Sequence, residues 1–213
     1  PFGICLTRSG EWAVVGHDNH RVFLFSEEGL YSARFGGWGN SPGKFKFPGS
    51  IAADPEGNLY VTDERNQRVQ KFSPDGKFIL SLGQGPENKL GDIFSVSTDK
   101  DGKVWVADPE NDRIQVYNSD GTLDRSLINP GNKPENIFKP LSVFCFENGE
   151  YLVGDRSEYL LKRFGPDGTL LHQFGKGENF SDEFYFLTAH PQHGIFASDF
   201  WNNRIVHLNH RLE

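Results

Sequence analysis

The sequence predicts an all-β fold, a β-propeller of four-stranded antiparallel blades, on three observations. The first is one stretch, residues 48–83 (PGSIAADPEGNLYVTDERNQRVQKFSPDGKFILSLG), in which four short runs rich in β-branched and aromatic residues occupy 50–54, 59–63, 68–72 and 78–82. The second is the turn chemistry between them: Asp54-Pro55-Glu56-Gly57-Asn58, Glu64-Arg65-Asn66-Gln67 and Ser73-Pro74-Asp75-Gly76. Proline presets φ near about −65° and glycine takes positive φ, so consecutive runs reverse and pair antiparallel. The third is recurrence. Asp63 followed by Arg68-Val69 returns as Asp108 with Arg113-Ile114 and as Asp199 with Arg204-Ile205. Two copies are degenerate: Gly16 with Arg21-Val22 lacks the aspartate, and Asp155 with Leu160-Leu161 lacks the arginine. Positions 21, 68, 113, 160 and 204 lie 44 to 47 residues apart, the period of a four-stranded blade rather than of a helical solenoid.

In chain order, the units span about 1–47, 48–94, 95–140, 141–186 and 187–213. The fifth stops after three strand-like runs. The array therefore reads either as a five-bladed ring with a short last blade or as most of a six-bladed one. A repeat array is one cooperative unit whatever its length, so the 213 residues are assigned to a single domain. Glycine and proline fall at regular turn sites rather than in a biased tract, and no linker stands out.

No window approaches the roughly 18 consecutive apolar residues of a membrane-spanning helix. The chain has no methionine, which suggests a piece of a longer protein. Its two cysteines, Cys5 and Cys145, sit in first strands one residue out of step, so their side chains point to opposite faces. They are read as free, small and apolar, which places the chain in a reducing compartment, the cytoplasm, as a monomeric domain.

The copies GNLYVTDERNQRVQKFSPDGKFILSLG and GKVWVADPENDRIQVYNSDGTL, with Asp18-Asn19-His20-Arg21-Val22 in the first unit, resemble NHL repeats. The resemblance spans nearly the whole chain and is weakest in the fourth unit. It implies a propeller of the kind found at the C-terminus of tripartite-motif (TRIM-NHL) ubiquitin ligases, where such domains bind messenger RNA or protein partners. Related propellers also include a few enzymes, so fold does not settle function.

The paired charges Asp63/Arg68, Asp108/Arg113 and Asp199/Arg204 are read as loop clamps, because a partner recurring at one spacing is a repeat-level device. No metal site is expected. His17 and His20 lie in a top loop, while His190 and His193 occupy a bottom turn. His207 and His210 have ligand spacing but lack a third ligand. The channel-mouth positions read Phe2-Gly3, Gly49-Ser50, Phe94-Ser95, Leu141-Ser142 and Leu187-Thr188, without an acid to hold a divalent ion. No Gly-x-Ser-x-Gly elbow or phosphate-binding glycine loop occurs, so neither a cofactor nor catalysis is expected.

The long connections on one face, 36–47, 83–94, 129–140 and 175–186, differ from blade to blade, and that face, here the top, is the expected binding face. Net charge of −7 opposes generic nucleic-acid binding. Even so, 36–47 carries +2 and 175–186 carries −2, so a basic aromatic sector around blades 1 and 2 faces a more acidic one. The expected site is Trp38, Lys44, Phe45, Lys46, Arg65, His17 and His20, with Phe200 and Trp201 as further top aromatics. In an extended segment Lys44-Phe45-Lys46-Phe47 puts both ammonium groups on one side and both rings on the other. Two functions stand: a protein-binding module anchored by exposed aromatics, or single-stranded RNA stacked beside the lysines.

Overall fold

The computed structural model describes residues 1–127, 136–175, 184–190, 193–199 and 202–209, the side chains of 184, 185 and 190 excepted. It is all-β, with five antiparallel sheets arranged as propeller blades. Blade 1 comprises β1 (Ile4–Leu6), β2 (Trp12–Gly16), β3 (Arg21–Phe25) and β4 (Tyr31–Gly36). Blade 2 comprises β5 (Pro48–Ala53), β6 (Leu59–Asp63), β7 (Arg68–Phe72) and β8 (Phe78–Leu82). Blade 3 comprises β9 (Ser95–Thr98), β10 (Val104–Asp108), β11 (Arg113–Tyr117) and β12 (Leu123–Leu127). Blade 4 comprises β13 (Pro140–Cys145), β14 (Tyr151–Asp155), β15 (Leu160–Phe164) and β16 (Leu170–Phe174). Blade 5 has three strands among the described residues, β17 (Phe184–His190), β18 (Gly194–Asp199) and β19 (Arg204–Leu208). Each sheet is a meander in sequence order. The first strands of blades 4 and 5 begin slightly ahead of the boundaries at 141 and 187 read from the sequence.

Alternation along the second and third strands sends residues to opposite sheet faces, and each face packs on a different neighbouring blade. Ala13, Val15, Val22 and Leu24 of blade 1 meet Ile51, Leu59, Val61 and Phe72 of blade 2. Tyr60 and Val69 of blade 2 meet Val96, Val104 and Tyr117 of blade 3, and similar layers join blades 3 to 4 and 4 to 5. Each fully buried side chain of this size contributes about 1.5–3 kcal/mol. Near the axis, hydroxyls join the first strands. The Ser50 Oγ accepts from Val96 N at 3.3 Å, and the Ser95 Oγ accepts from Val143 N at 3.2 Å.

The first bottom turns of blades 2 and 3 repeat one Asx device. Asp54 accepts the backbone N–H groups of Glu56 and Asn58 and the Tyr60 hydroxyl. Asp99 accepts those of Asp101 and Lys103 and the Trp105 indole. The turn between second and third strands has its own rule: the residue before the third strand is left-handed in all five blades. These are His20, Gln67, Asp112, Tyr159 and Asn203, with φ of 54°, 52°, 49°, 58° and 50°. Both cysteines are free. Burial raises the Cys5 thiol to about 12 and pushes Cys145 up as well, which keeps both protonated. Among the described residues, no helix is long and apolar enough to cross a membrane.

Candidate binding site on the top face

The connection from β4 to β5 has the local chemistry of a flexible loop, with glycine at 36, 37, 39 and 43. The structure shows the reverse. Trp38 pairs with Phe45 in an isolated bridge: Phe45 N donates to Gly37 O at 2.9 Å and Gly39 N donates to Phe45 O at 3.1 Å. No regular strand includes Trp38, yet this bridge pins its backbone. Gly36 must be glycine, because its φ is 100° and a Cβ there would lie 2.7 Å from the Phe45 ring.

The second correction concerns Phe45, expected as a ligand-facing aromatic. It is fully buried between Phe35 and Phe72, within the layer joining blades 1 and 2. Phe47, expected on the same side as Phe45, instead joins the surface aromatics. Its φ of 54° breaks the extended alternation, so residues 44–47 do not divide into a charged side and an aromatic side.

Trp38 remains 59% exposed. His20 meets its ring edge-on at 4.6 Å, Phe47 does so at 5.9 Å, and the Lys46 ammonium lies 5.5 Å from the ring centroid. The aromatic contacts continue inward: His20 and His17 both touch Phe47, His17 stacks on Phe2 at 4.9 Å, and Phe2 meets Phe186 at 5.4 Å. His20 Nδ1 accepts from Phe47 N at 3.2 Å, so that nitrogen is unprotonated. Burial, reinforced by neighbouring His17, holds the His20 pKa below its ordinary value.

Charges surround this cluster. Lys44 Nζ donates to Gly36 O at 3.0 Å, and exposed Arg65 reaches Asp92 at 3.5 Å. His17 Nε2 lies 3.8 Å from Glu64. Burial raises the Glu64 carboxyl, with Arg65 and His17 opposing. The remaining expected top aromatics, Phe200 and Trp201, lie outside the described residues.

What holds the connection in place is the charged pair of blade 2. Buried Arg68 donates from Nε to Asp63 at 2.7 Å and from Nη2 to the carbonyls of Ser41 at 3.1 Å and Lys44 at 2.9 Å. Asp63 also accepts from Lys46 N at 2.7 Å and from Asn66, and Gln70 donates to Lys44 O. The sequence indicated a clamp on the local turn, but the pair also grips the connection arriving from the preceding blade. Asp108 with Arg113 repeats this, reaching Gly91 N and Lys89 O. Asp199 with Arg204 keeps the 2.8 Å pair.

Blade 4 has Leu160 where the other blades have the third-strand arginine, and sequence reading missed its substitute. Lys162, two residues beyond the vacant position, is fully buried, bonds Asp155 at 2.9 Å, reaches Glu158 and donates to Asn136 O at 2.5 Å. An available signal was a lysine where blades 2 and 3 carry Gln70 and Gln115. The channel-mouth assignment of blade 5 also shifts. Phe186 N donates to Ser198 Oγ as Ser50 N does to Thr62 Oγ1, so Phe186, not Thr188, takes the place of Ser50. β17 carries the same bulge as β5. His207 stacks on Phe196 and contacts His193 O, while His210 and the His190 side chain lie outside the described residues.

Residues 45–72 match the NHL repeat, from the end of the Trp38 connection through the third strand of blade 2. The chain is similar to peptidyl-glycine alpha-amidating monooxygenase B of Xenopus laevis, 33% identical over 96 residues, which is 42% of this chain and 11% of that protein. It is also similar to protein brain tumor of Drosophila melanogaster, 31% identical over 55 residues, 26% of this chain and 5% of the relative. The matches thus cover small parts of these relatives. Among solved structures, virginiamycin B lyase from Staphylococcus aureus superposes with a TM-score of 0.72 at 14% identity, over 100% of this chain and 68% of the lyase chain. At that identity the likeness concerns the fold alone.

Proposed function

We propose that this propeller is a non-catalytic binding module whose ligand is a protein partner, held on the top face of blades 1 and 2. The observation that carries the reading is Trp38. A large ring is offered to solvent while its backbone is pinned by the Phe45 bridge and its edges by His20 and Phe47. A pre-organised aromatic loses little entropy on binding and is the type of residue that dominates interface energetics. Lys44, Lys46 and Arg65 beside it suit a partner segment that pairs an aromatic or aliphatic anchor with acidic residues. The hydroxyls of Ser50 and Ser95 at the channel mouth bond neighbouring backbone rather than standing as nucleophiles, which supports a non-catalytic role. The partial matches to larger proteins support a module within a longer chain, and on the repeat resemblance we assign it to a tripartite-motif-type protein of the cytoplasm. The enzyme names among the relatives belong to those proteins.

A displayed peptide library panned against the domain tests this. The reading expects acidic sequences with one apolar anchor, bound at micromolar affinity and lost with Trp38→Ala or with Lys44→Glu/Lys46→Glu. One specific observation favours single-stranded RNA, the cation seated over an exposed indole, which is a base-stacking arrangement. Anisotropy of labelled random RNA at two salt concentrations separates the two. Binding that weakens steeply with salt, with no peptide selected, would replace the protein partner by RNA.

A further inference from the structure

We infer that Ser41 is the acceptor of a proline-directed serine kinase, and that its phosphate shuts off the basic sector beside Trp38. The switch rests on the reading of that sector as the binding site; the modification stands without it. The chain has two Ser-Pro pairs, Ser41-Pro42-Gly43-Lys44 and Ser73-Pro74-Asp75-Gly76. A proline after the acceptor has no N–H to leave unsatisfied in an enzyme groove, and it keeps the preceding serine extended. In the first pair a lysine follows three residues after the serine, and in the second a glycine does.

Tertiary structure separates the two serines. The Ser73 hydroxyl is consumed by its own bottom turn, where it bonds Asp75 and accepts from Lys77 N at 3.1 Å. Ser41 is exposed on the top face, as are Asn40 and Pro42 on either side of it. Its carbonyl accepts from Lys44 N at 3.0 Å and from buried Arg68 at 3.1 Å, and its hydroxyl is left out of these bonds. Pro42 followed by Gly43 at φ 79° makes a type II turn. The backbone is thus fixed while the Oγ is displayed.

In the transfer, Ser41 Oγ attacks the γ-phosphorus of magnesium ATP. The Oγ–P bond forms as the bond to the β–γ bridging oxygen breaks, ADP leaves, and the hydroxyl proton passes to the kinase's catalytic carboxylate. The turn brings Lys44 back beside Ser41, because its first and fourth α-carbons lie within about 7 Å. Lys44 Nζ holds the Gly36 carbonyl, and Lys46 sits over Trp38. Residues 36–47 carry +2 with no acid among them, and a phosphoserine brings about −1.5 to −2 at neutral pH. One phosphate therefore cancels the charge of the connection and draws Lys44 from Gly36 O into a charge-assisted pair. An acidic segment approaching Trp38 then meets no net attraction.

The test incubates the folded 213-residue chain with a cyclin-dependent kinase and magnesium ATP and maps the phosphate by mass spectrometry, beside Ser41→Ala, Ser73→Ala and a free peptide of residues 36–47. Phosphate should enter Ser41 faster than Ser73, be lost from that segment in Ser41→Ala and persist in Ser73→Ala. Ser73 labelled as fast as Ser41, or a labelled peptide with Ser41 unlabelled in the folded chain, would overturn the inference. An unlabelled peptide would do the same, since the motif itself would have failed. Anisotropy of a fluorescein-labelled peptide with one phenylalanine among glutamates reads the switch separately. The phosphorylated chain and Ser41→Glu should bind it roughly tenfold more weakly, and Ser41→Ala as the wild type does. Equal affinity with and without the phosphate would overturn the switch. A peptide that binds neither form would overturn the acidic-partner reading and the switch with it, while the mapped phosphate would still establish the site.

Discussion

Replacing Arg68 by alanine should loosen the top-face site as well as the fold, because one guanidinium holds both. The wild-type group is buried and donates to Asp63 and to two carbonyls of the preceding connection. Its removal leaves the buried Asp63 carboxylate without its cation, and breaking such a pair costs about 3–5 kcal/mol. Lys46 N, Asn66 and Gln70 still donate to Asp63, so the lower end of that range is expected. For a domain of this size that is a fall in Tm of roughly 10 °C. Arg113→Ala, which loses the Asp108 pair and one carbonyl contact, should cost less by about one hydrogen bond, 0.5–1.5 kcal/mol. Urea denaturation gives both values. Hydrogen exchange then locates the effect: the Phe45 and Lys46 amides, bonded to Gly37 O and Asp63, should lose protection in Arg68→Ala and keep it in Arg113→Ala. An Arg68→Ala protein of unchanged stability, or a destabilised one in which those two amides stay protected, would refute the reasoning.

Phe45→Ala should destabilise by about 3–5 kcal/mol and Trp38→Ala by less than about 1 kcal/mol, measured by urea denaturation, because only the former ring lies in the interblade layer. In blade 4, Lys162→Gln should cost about 3 kcal/mol by stranding Asp155, and Leu160→Arg in the same chain should recover most of it by restoring the blade 2 arrangement; a double variant no better than the single would refute this. His20 has a folded pKa below the ordinary histidine value of about 6.5, so the unfolded state binds more protons as pH falls past that value. Its contribution is thus fully present above about pH 6.5 and declines on acidification toward the folded pKa; NMR titration of His20 gives that pKa, and His20→Gln should flatten this part of the stability profile. Gln67→Gly should raise stability by about 0.5–1 kcal/mol, since glycine relieves the left-handed strain at φ 52° at the expense of a more flexible unfolded chain; calorimetry reads the change.

The period, the meander, the bottom turns and the charged pairs were all legible in the chain, because each depends on residues close together within one repeat. Strand runs and turns recurring at one period leave little ambiguity about what each segment does. The fates of Trp38 and Phe45 were not legible: both are aromatics in a glycine-rich loop, and only the bridge between them and the Phe35–Phe72 layer sends one outward and the other into the core. The reach of Arg68 to Ser41 and Lys44, 27 and 24 residues away, was equally hidden, since contacts between one blade and the connection entering it leave no local spacing to read. Lys162 in place of an arginine shows the same limit. A buried carboxylate demands a cation in space, and tertiary structure decides which position along the neighbouring strand supplies it.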